Sequence, residues 1–170
     1  MKKLVLGVVL AAILATGTAV ADSPVHPDGL GIGVLWGGSA YSGNFNNNVA
    51  LSLKLPSVPI FWGIRLGLGS EHFWLGLQGD YYFLGGELIP TLSWFLGLGG
   101  YINAWFGDAA AIGFGVRLPI GLTWQPINVF ELFLNLAPQL GGRIHTYGDG
   151  GFSFPHGGFF GFEIGLRFWP

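Results

Sequence analysis

Ser70, Glu71 and His72 stand side by side, the densest set of groups in the chain able to do acyl-transfer chemistry. A hydroxyl nucleophile needs a base within hydrogen-bond reach and a third group to orient that base. On an extended chain Ser70 and His72 share one face and Glu71 takes the other. The triplet reads more simply as a polar turn with a solvated histidine. His145 and His156 flank Asp149 in a later glycine-rich stretch. A metal there would need three or four converging ligands, and a solvated loop accounts for these residues without one. His26 has no evident partner. The chain has no cysteine, so disulfides, thiol nucleophiles and thiolate metal sites are excluded. No catalytic residue, cofactor or metal site is assigned.

Seven other charges are more informative: Lys54, Arg65, Asp80, Arg117, Glu131, Glu163 and Arg167. Glu163 and Arg167 have the four-residue spacing of a helical ion pair. Their surroundings alternate instead. Phe160, Phe162, Ile164, Leu166 and Phe168 interleave with Gly161, Glu163, Gly165 and Arg167. Side chains of a strand change faces with period two, so this is a strand with one apolar face. The pattern recurs at Leu30–Trp36, Val49–Leu55, Ile60–Leu68, Phe73–Asp80, Leu92–Asn103, Ile112–Trp124 and Phe130–Ala137. That makes eight strands. All seven charges fall on the small or polar face. Leu35, Phe61, Trp74, Phe95 and Phe133 are bulky exceptions on that same face.

The elements that hold these charges must suit an exported, apolar chain. Met1-Lys2-Lys3, the uncharged run Leu4–Ala15 and Ala19-Val20-Ala21 have the form of a cleaved secretory signal peptide over 1–21. Residues 22–170 then form a single domain of 170 − 21 = 149 residues, with five basic and nine acidic groups, a net charge of −4. No basic stripe points to nucleic acid. Only 9% of the chain is charged and 51% is hydrophobic, whereas soluble domains carry about 25% charged residues. Only helices and closed barrels cross a bilayer, because every backbone polar group must be satisfied internally. The long uncharged stretch Leu88–Gly107 contains Pro90, Gly97, Gly99, Gly100 and Asn103, and each glycine costs a helix about 1 kcal/mol.

The expected fold is therefore all-β: an eight-stranded antiparallel up-and-down transmembrane β-barrel with a filled interior. Buried charges must be paired, because desolvation costs several kcal/mol per ion. The seven inner charges are expected to form an ionic network. Trp36, Trp62, Trp94, Trp105, Trp124 and Trp169 lie near strand ends and are expected to form the aromatic girdles of the bilayer interfaces. Three connections carry proline, at 56–59, 85–90 and 125–128, and read as short periplasmic turns. The others, 37–48, 69–71, 104–110 and 142–158, read as external. Both termini then lie in the periplasm.

The mature chain resembles small outer-membrane barrels of the outer-membrane protein A/X type. "GFGVRLPIGLTW" (113–124) and "FELFLNLAPQLG" (130–141) resemble a family of small barrels found in spirochaetes, through Arg117-x-Pro119-x-Gly121 and Ala137-Pro138. The resemblance implies a barrel in the bacterial outer membrane and no particular activity. Barrels of this kind end on an aromatic residue read by the barrel-assembly machinery; this chain ends Phe168-Trp169-Pro170. The expected role is structural or surface-interacting, with no open pore. The expected partners are outer-membrane lipid, the barrel-assembly machinery, and a host or envelope protein held by loops 37–48 and 142–158. A narrow channel and an outer-membrane lipid-modifying enzyme are the alternatives.

Overall fold

The computed structural model describes residues 28–41, 44–68, 73–106, 110–145, 151–154 and 158–170. Residues 1–21, expected to be a signal peptide, and His26, Ser70, Glu71, His72, Asp149 and His156 lie outside the described residues. Among the described residues no helix is long and apolar enough to cross a membrane. The elements are strands: β1 (Gly31–Tyr41), β2 (Asn44–Lys54), β3 (Ile60–Leu68), β4 (Phe73–Ile89), β5 (Leu92–Phe106), β6 (Ala111–Arg117), β7 (Ile120–Ile127), β8 (Phe130–His145), β9 (Gly151–Ser153) and β10 (Gly158–Phe168).

From β1 to β6 each strand pairs antiparallel with the next, β8 pairs with both β6 and β7, and β10 pairs with both β8 and β1, so the sheet closes. The closed ring has eight strands, because β6 and β7 are two parts of one. Both lie between β5 and β8. Their pairing with β5 runs Leu96–Ile120 below the break and Gly99–Arg117 above it, with no slip. The break is Pro119, which has no N–H for the ladder. Its carbonyl still accepts from Gly97 N–H at 2.8 Å, and Leu118 N–H donates to the carbonyl of Pro138 at 3.0 Å. The prolines of the two sequence motifs thus sit beside each other in one ladder. β9 pairs only with β8, as a short hairpin extension.

Register determines the barrel's shape. From Phe168, paired residues run through Ile32, Leu53, Trp62, Gly79, Gly100, Val116 and Leu140 back to Gly158 on the starting strand. The path returns displaced by 168 − 158 = 10 residues, which is the shear of the barrel. With a rise of about 3.3 Å per residue and about 4.8 Å between strands, the strands tilt by roughly 40° and the backbone radius is roughly 8 Å. Such a lumen has room for side chains and little more.

The two faces are the reverse of a soluble barrel. Val34, Leu51, Ile64, Leu77, Phe114, Leu134 and Ile164 are exposed on the outside. Lys54, Arg65, Asp80, Arg117, Glu131, Glu163 and Arg167 are all buried on the inside. Leu35, Phe61, Phe95 and Phe133 are buried with them.

The strands run further than the apolar alternation. The described residues of 37–48 are strand, with pairs continuing to Tyr41–Asn44. β8 continues to His145, and β9 occupies part of 142–158. β4 continues to Ile89, with register shifts between Tyr82 and Leu84 and between Glu87 and Ile89. β5 reaches Phe106 and β7 reaches Ile127. The reason is physical: backbone hydrogen bonds propagate a ladder whatever the side chains are, while apolar alternation is required only where the outside is lipid.

Candidate functional site

The interior is layered along the barrel axis. One end carries both described chain ends and the proline turns; it is called the terminus end here, and the opposite end the far end. Four rings fill the terminus end. Phe61, Tyr82 and Phe95 form a stack, with centroids 4.5 Å and 4.3 Å apart. Trp169 completes this buried cluster.

Against that plug lies the first ionic cluster. Arg167 Nη1 donates to Glu131 Oε1 at 2.9 Å, and its Nε donates to Ser52 Oγ at 2.8 Å. Its guanidinium also packs on the rings of Phe133, at 4.1 Å, and Phe61, at 4.7 Å. Glu131 accepts further from Thr123 Oγ1 at 2.8 Å and from the indole N–H of Trp169 at 2.9 Å. A buried carboxylate is tolerated when charged and neutral donors surround it.

The second cluster lies further in. Arg117 grips Glu163 with both terminal nitrogens, Nη1 to Oε1 at 2.7 Å and Nη2 to Oε2 at 3.0 Å. Arg65 pairs with the same carboxylate, and Asn135 Nδ2 donates to it at 2.9 Å. Arg117 also meets Gln78 and lies 3.3 Å from Asp80 Oδ1. Arg65, Arg117 and Arg167 thus balance Asp80, Glu131 and Glu163. Lys54 stands apart. It is near the terminus end, where it meets Asp28 at 3.5 Å and donates to the Leu55 carbonyl at 3.0 Å.

The neutral partners Ser52, Gln78, Thr123 and Asn135 were not singled out by sequence reasoning, although each is buried here. Their signal was available, since each lies on the charged face of its strand. Glu163 and Arg167 have separate partners, as their place two positions apart on one face requires.

The tryptophans divide. Trp36, Trp94 and Trp124 are exposed on the outer face, and Trp62 is half-buried. Trp169 does not belong to the girdle: it is only 5% exposed and turned inward onto Glu131. Its backbone N–H donates to the carbonyl of Val129 at 2.9 Å, which continues the alternation of β10 by one more inward position. Trp105 is also an inner residue. It pairs across the ladder with Trp74, and Arg143 packs on its ring at 4.1 Å. Both corrections follow from parity, since each residue sits an even number of positions from an inner charge or amide of its own strand.

Towards the far end the filling changes to Trp74, Tyr101, Asn103, Trp105, Gln139 and Arg143, all half-buried. Among the described residues no group of His, Cys, Asp and Glu could hold a metal. His145 ends β8 in an exposed position.

No family model and no curated protein matches this sequence. Solved structures do. The N-terminal β-barrel domain of Pseudomonas aeruginosa OprF aligns over 81% of this chain and 96% of its own, with 12% identity and a TM-score of 0.50. Neisserial surface protein A aligns over 83% of this chain and 96% of its own, with 12% identity and a TM-score of 0.49. The fold of this chain is that of an outer-membrane β-barrel.

Proposed function

We propose that this chain is an integral outer-membrane β-barrel with a structural or surface-interaction role and no open pore. The carrying observation is the filled cross-section. Phe95 and Glu131 are 0% exposed and Arg117 is 1% exposed, within one narrow lumen. The apolar outer face supports contact with lipid, and the closed ring leaves no sheet edge to satisfy. The likeness to OprF supports an envelope location through fold.

In this reading both termini are periplasmic and the far end faces outward. In the same reading the barrel is inserted by the assembly machinery, and the resemblance of 113–124 and 130–141 to spirochaete barrels supports, as part of the proposal, a spirochaete-type envelope. A host or envelope protein would meet the far-end strand extensions within 37–48 and 142–158. The filled levels weigh against a narrow channel, and the lipid-modifying alternative rests on Ser70, Glu71 and His72, which lie outside the described residues. Purified protein in planar lipid bilayers tests the reading: no discrete conductance steps are expected. Reproducible single-channel steps would overturn it in favour of a channel.

A further inference from the structure

β1 is a thin strand on the lumen side. Its inward positions are Gly31, Gly33, Leu35, Gly37 and Ser39. Leu35 is its one bulky inward group, packed with Ala50 and Phe133. The β1–β10 seam closes the ring, and each of its inward rows contains a glycine. Gly33 faces Arg167, Leu35 faces Gly165, Gly37 faces Glu163 and Ser39 faces Gly161. Directly opposed side chains are the unit that stabilises a sheet, and these rows supply no such pair. The other side of β10 differs: Glu131 and Asn135 of β8 directly face Arg167 and Glu163.

Long side chains of β10 cross β1 instead. Gly33 is opposite Arg167 on one side and Ser52 on the other. The 2.8 Å bond from Arg167 Nε to Ser52 Oγ therefore passes over Gly33. Trp169 is the next inward residue. Its indole lies on Gly31, where a Cβ would come 3.0 Å from the ring. Both side chains share one anchor. Glu131 accepts from Arg167 Nη1 and from the Trp169 indole N–H, each at 2.9 Å. Further towards the far end, Trp36 and Phe162 tie the seam on the outer face, edge to face at 5.1 Å.

We propose that Arg167, Trp169 and Glu131 are a latch that clamps β1 into the ring, and that the β1–β10 seam parts from its terminus end when the latch is released. A ladder with few side-chain contacts opens locally at a lower free energy than one buttressed by them. β10 stays with β8 because their inner rows are paired directly, so β1 is the strand that leaves. The inference rests on geometry inside the ring and is independent of what the far end binds.

The test is hydrogen–deuterium exchange of the folded barrel in detergent micelles, with the β3–β4 ladder as internal reference. In Trp169→Ala, amides of 31–35 that bond to β10 should exchange about tenfold faster, while those of 60–68 stay within about twofold of the parent. Amides of 36–40 should be affected less than those of 31–35. Gly31→Ala, whose added methyl meets the indole, releases the latch from the other strand and should give the same pattern in smaller measure. Heat-modifiable gel migration checks that each variant folds, and if Trp169→Ala does not, Gly31→Ala decides alone. Equal acceleration at the seam and at β3–β4 would make Trp169 a general core residue and overturn the proposal. Unchanged exchange at the seam, or opening that starts at 36–40, would overturn it too.

Discussion

Arg117 and Glu163 form a two-bond pair across the lumen, at 2.7 Å and 3.0 Å, although their strands are not neighbours: β8 lies between β6 and β10. With Arg65 of β3 on the same carboxylate, one side chain ties three separated parts of the ring together. It acts where the last strand has closed the sheet.

Breaking that pair from one side should be costly. Glu163→Gln leaves two buried arginines facing a neutral amide, and removal of one partner from a buried pair costs about 3–5 kcal/mol. Replacing Arg117 and Glu163 together with Met and Leu should cost at least as much, because it also strips buried Asp80 and Arg65 of their ion partners. Urea unfolding of barrels in lipid vesicles, followed by loss of heat-modifiable migration, measures both.

A charge of the same kind on the other face should fail for the opposite reason. Ile164 is adjacent to Glu163 but points outward and is 49% exposed. Ile164→Arg puts a guanidinium into lipid at a cost of about 2–4 kcal/mol near the midplane. The same unfolding experiment in vesicles should show the loss, and unfolding in detergent should show less of it.

Glycine positions separate sharply. A Cβ at Gly121 would lie 2.3 Å from the Leu134 carbonyl oxygen and 2.5 Å from Phe95 Cζ, while at Gly151 nothing lies within 4 Å. Gly121→Ala should destabilise by about 1–3 kcal/mol, the range for overpacking. Gly151→Ala should fall within about 0.5 kcal/mol of the parent, as surface changes do. The comparison needs only unfolding midpoints of the two variants.

Trp169 tests whether the terminus-end plug depends on its polar atom. Trp169→Phe keeps an aromatic ring in the cluster but removes the indole N–H that reaches Glu131 at 2.9 Å. Arg167 and Thr123 remain as donors to that carboxylate. The expected loss is about 1–3 kcal/mol, read by urea unfolding. A variant as stable as the parent would show that the ring alone carries the plug.

Much of this was legible beforehand because period two is a local property. The seven charges all entered the lumen because each strand states its own faces, and Leu35, Phe61, Phe95 and Phe133 followed the same parity. Strand ends were less legible. Asn48 is a buried strand residue in what the composition presents as a loop, since a ladder outside lipid leaves no apolar stripe to read. Trp105 and Trp169 lie near strand ends, but parity, not nearness, puts both on the inner face.

By itself the sequence determined the eight strands of the ring, the two faces of their apolar stretches and seven of the inner charges, because these depend on neighbours two residues apart; Arg143, read as part of the loop 142–158, lies on β8 instead. The tertiary structure decided which acid meets which base. That depends on the shear of ten residues accumulated around the closed ring, a property of closure that no single strand contains. It brings Arg65 and Arg117 to Glu163 from strands remote in sequence, and it leaves Trp169 beneath Glu131, inside the barrel that its own strand completes.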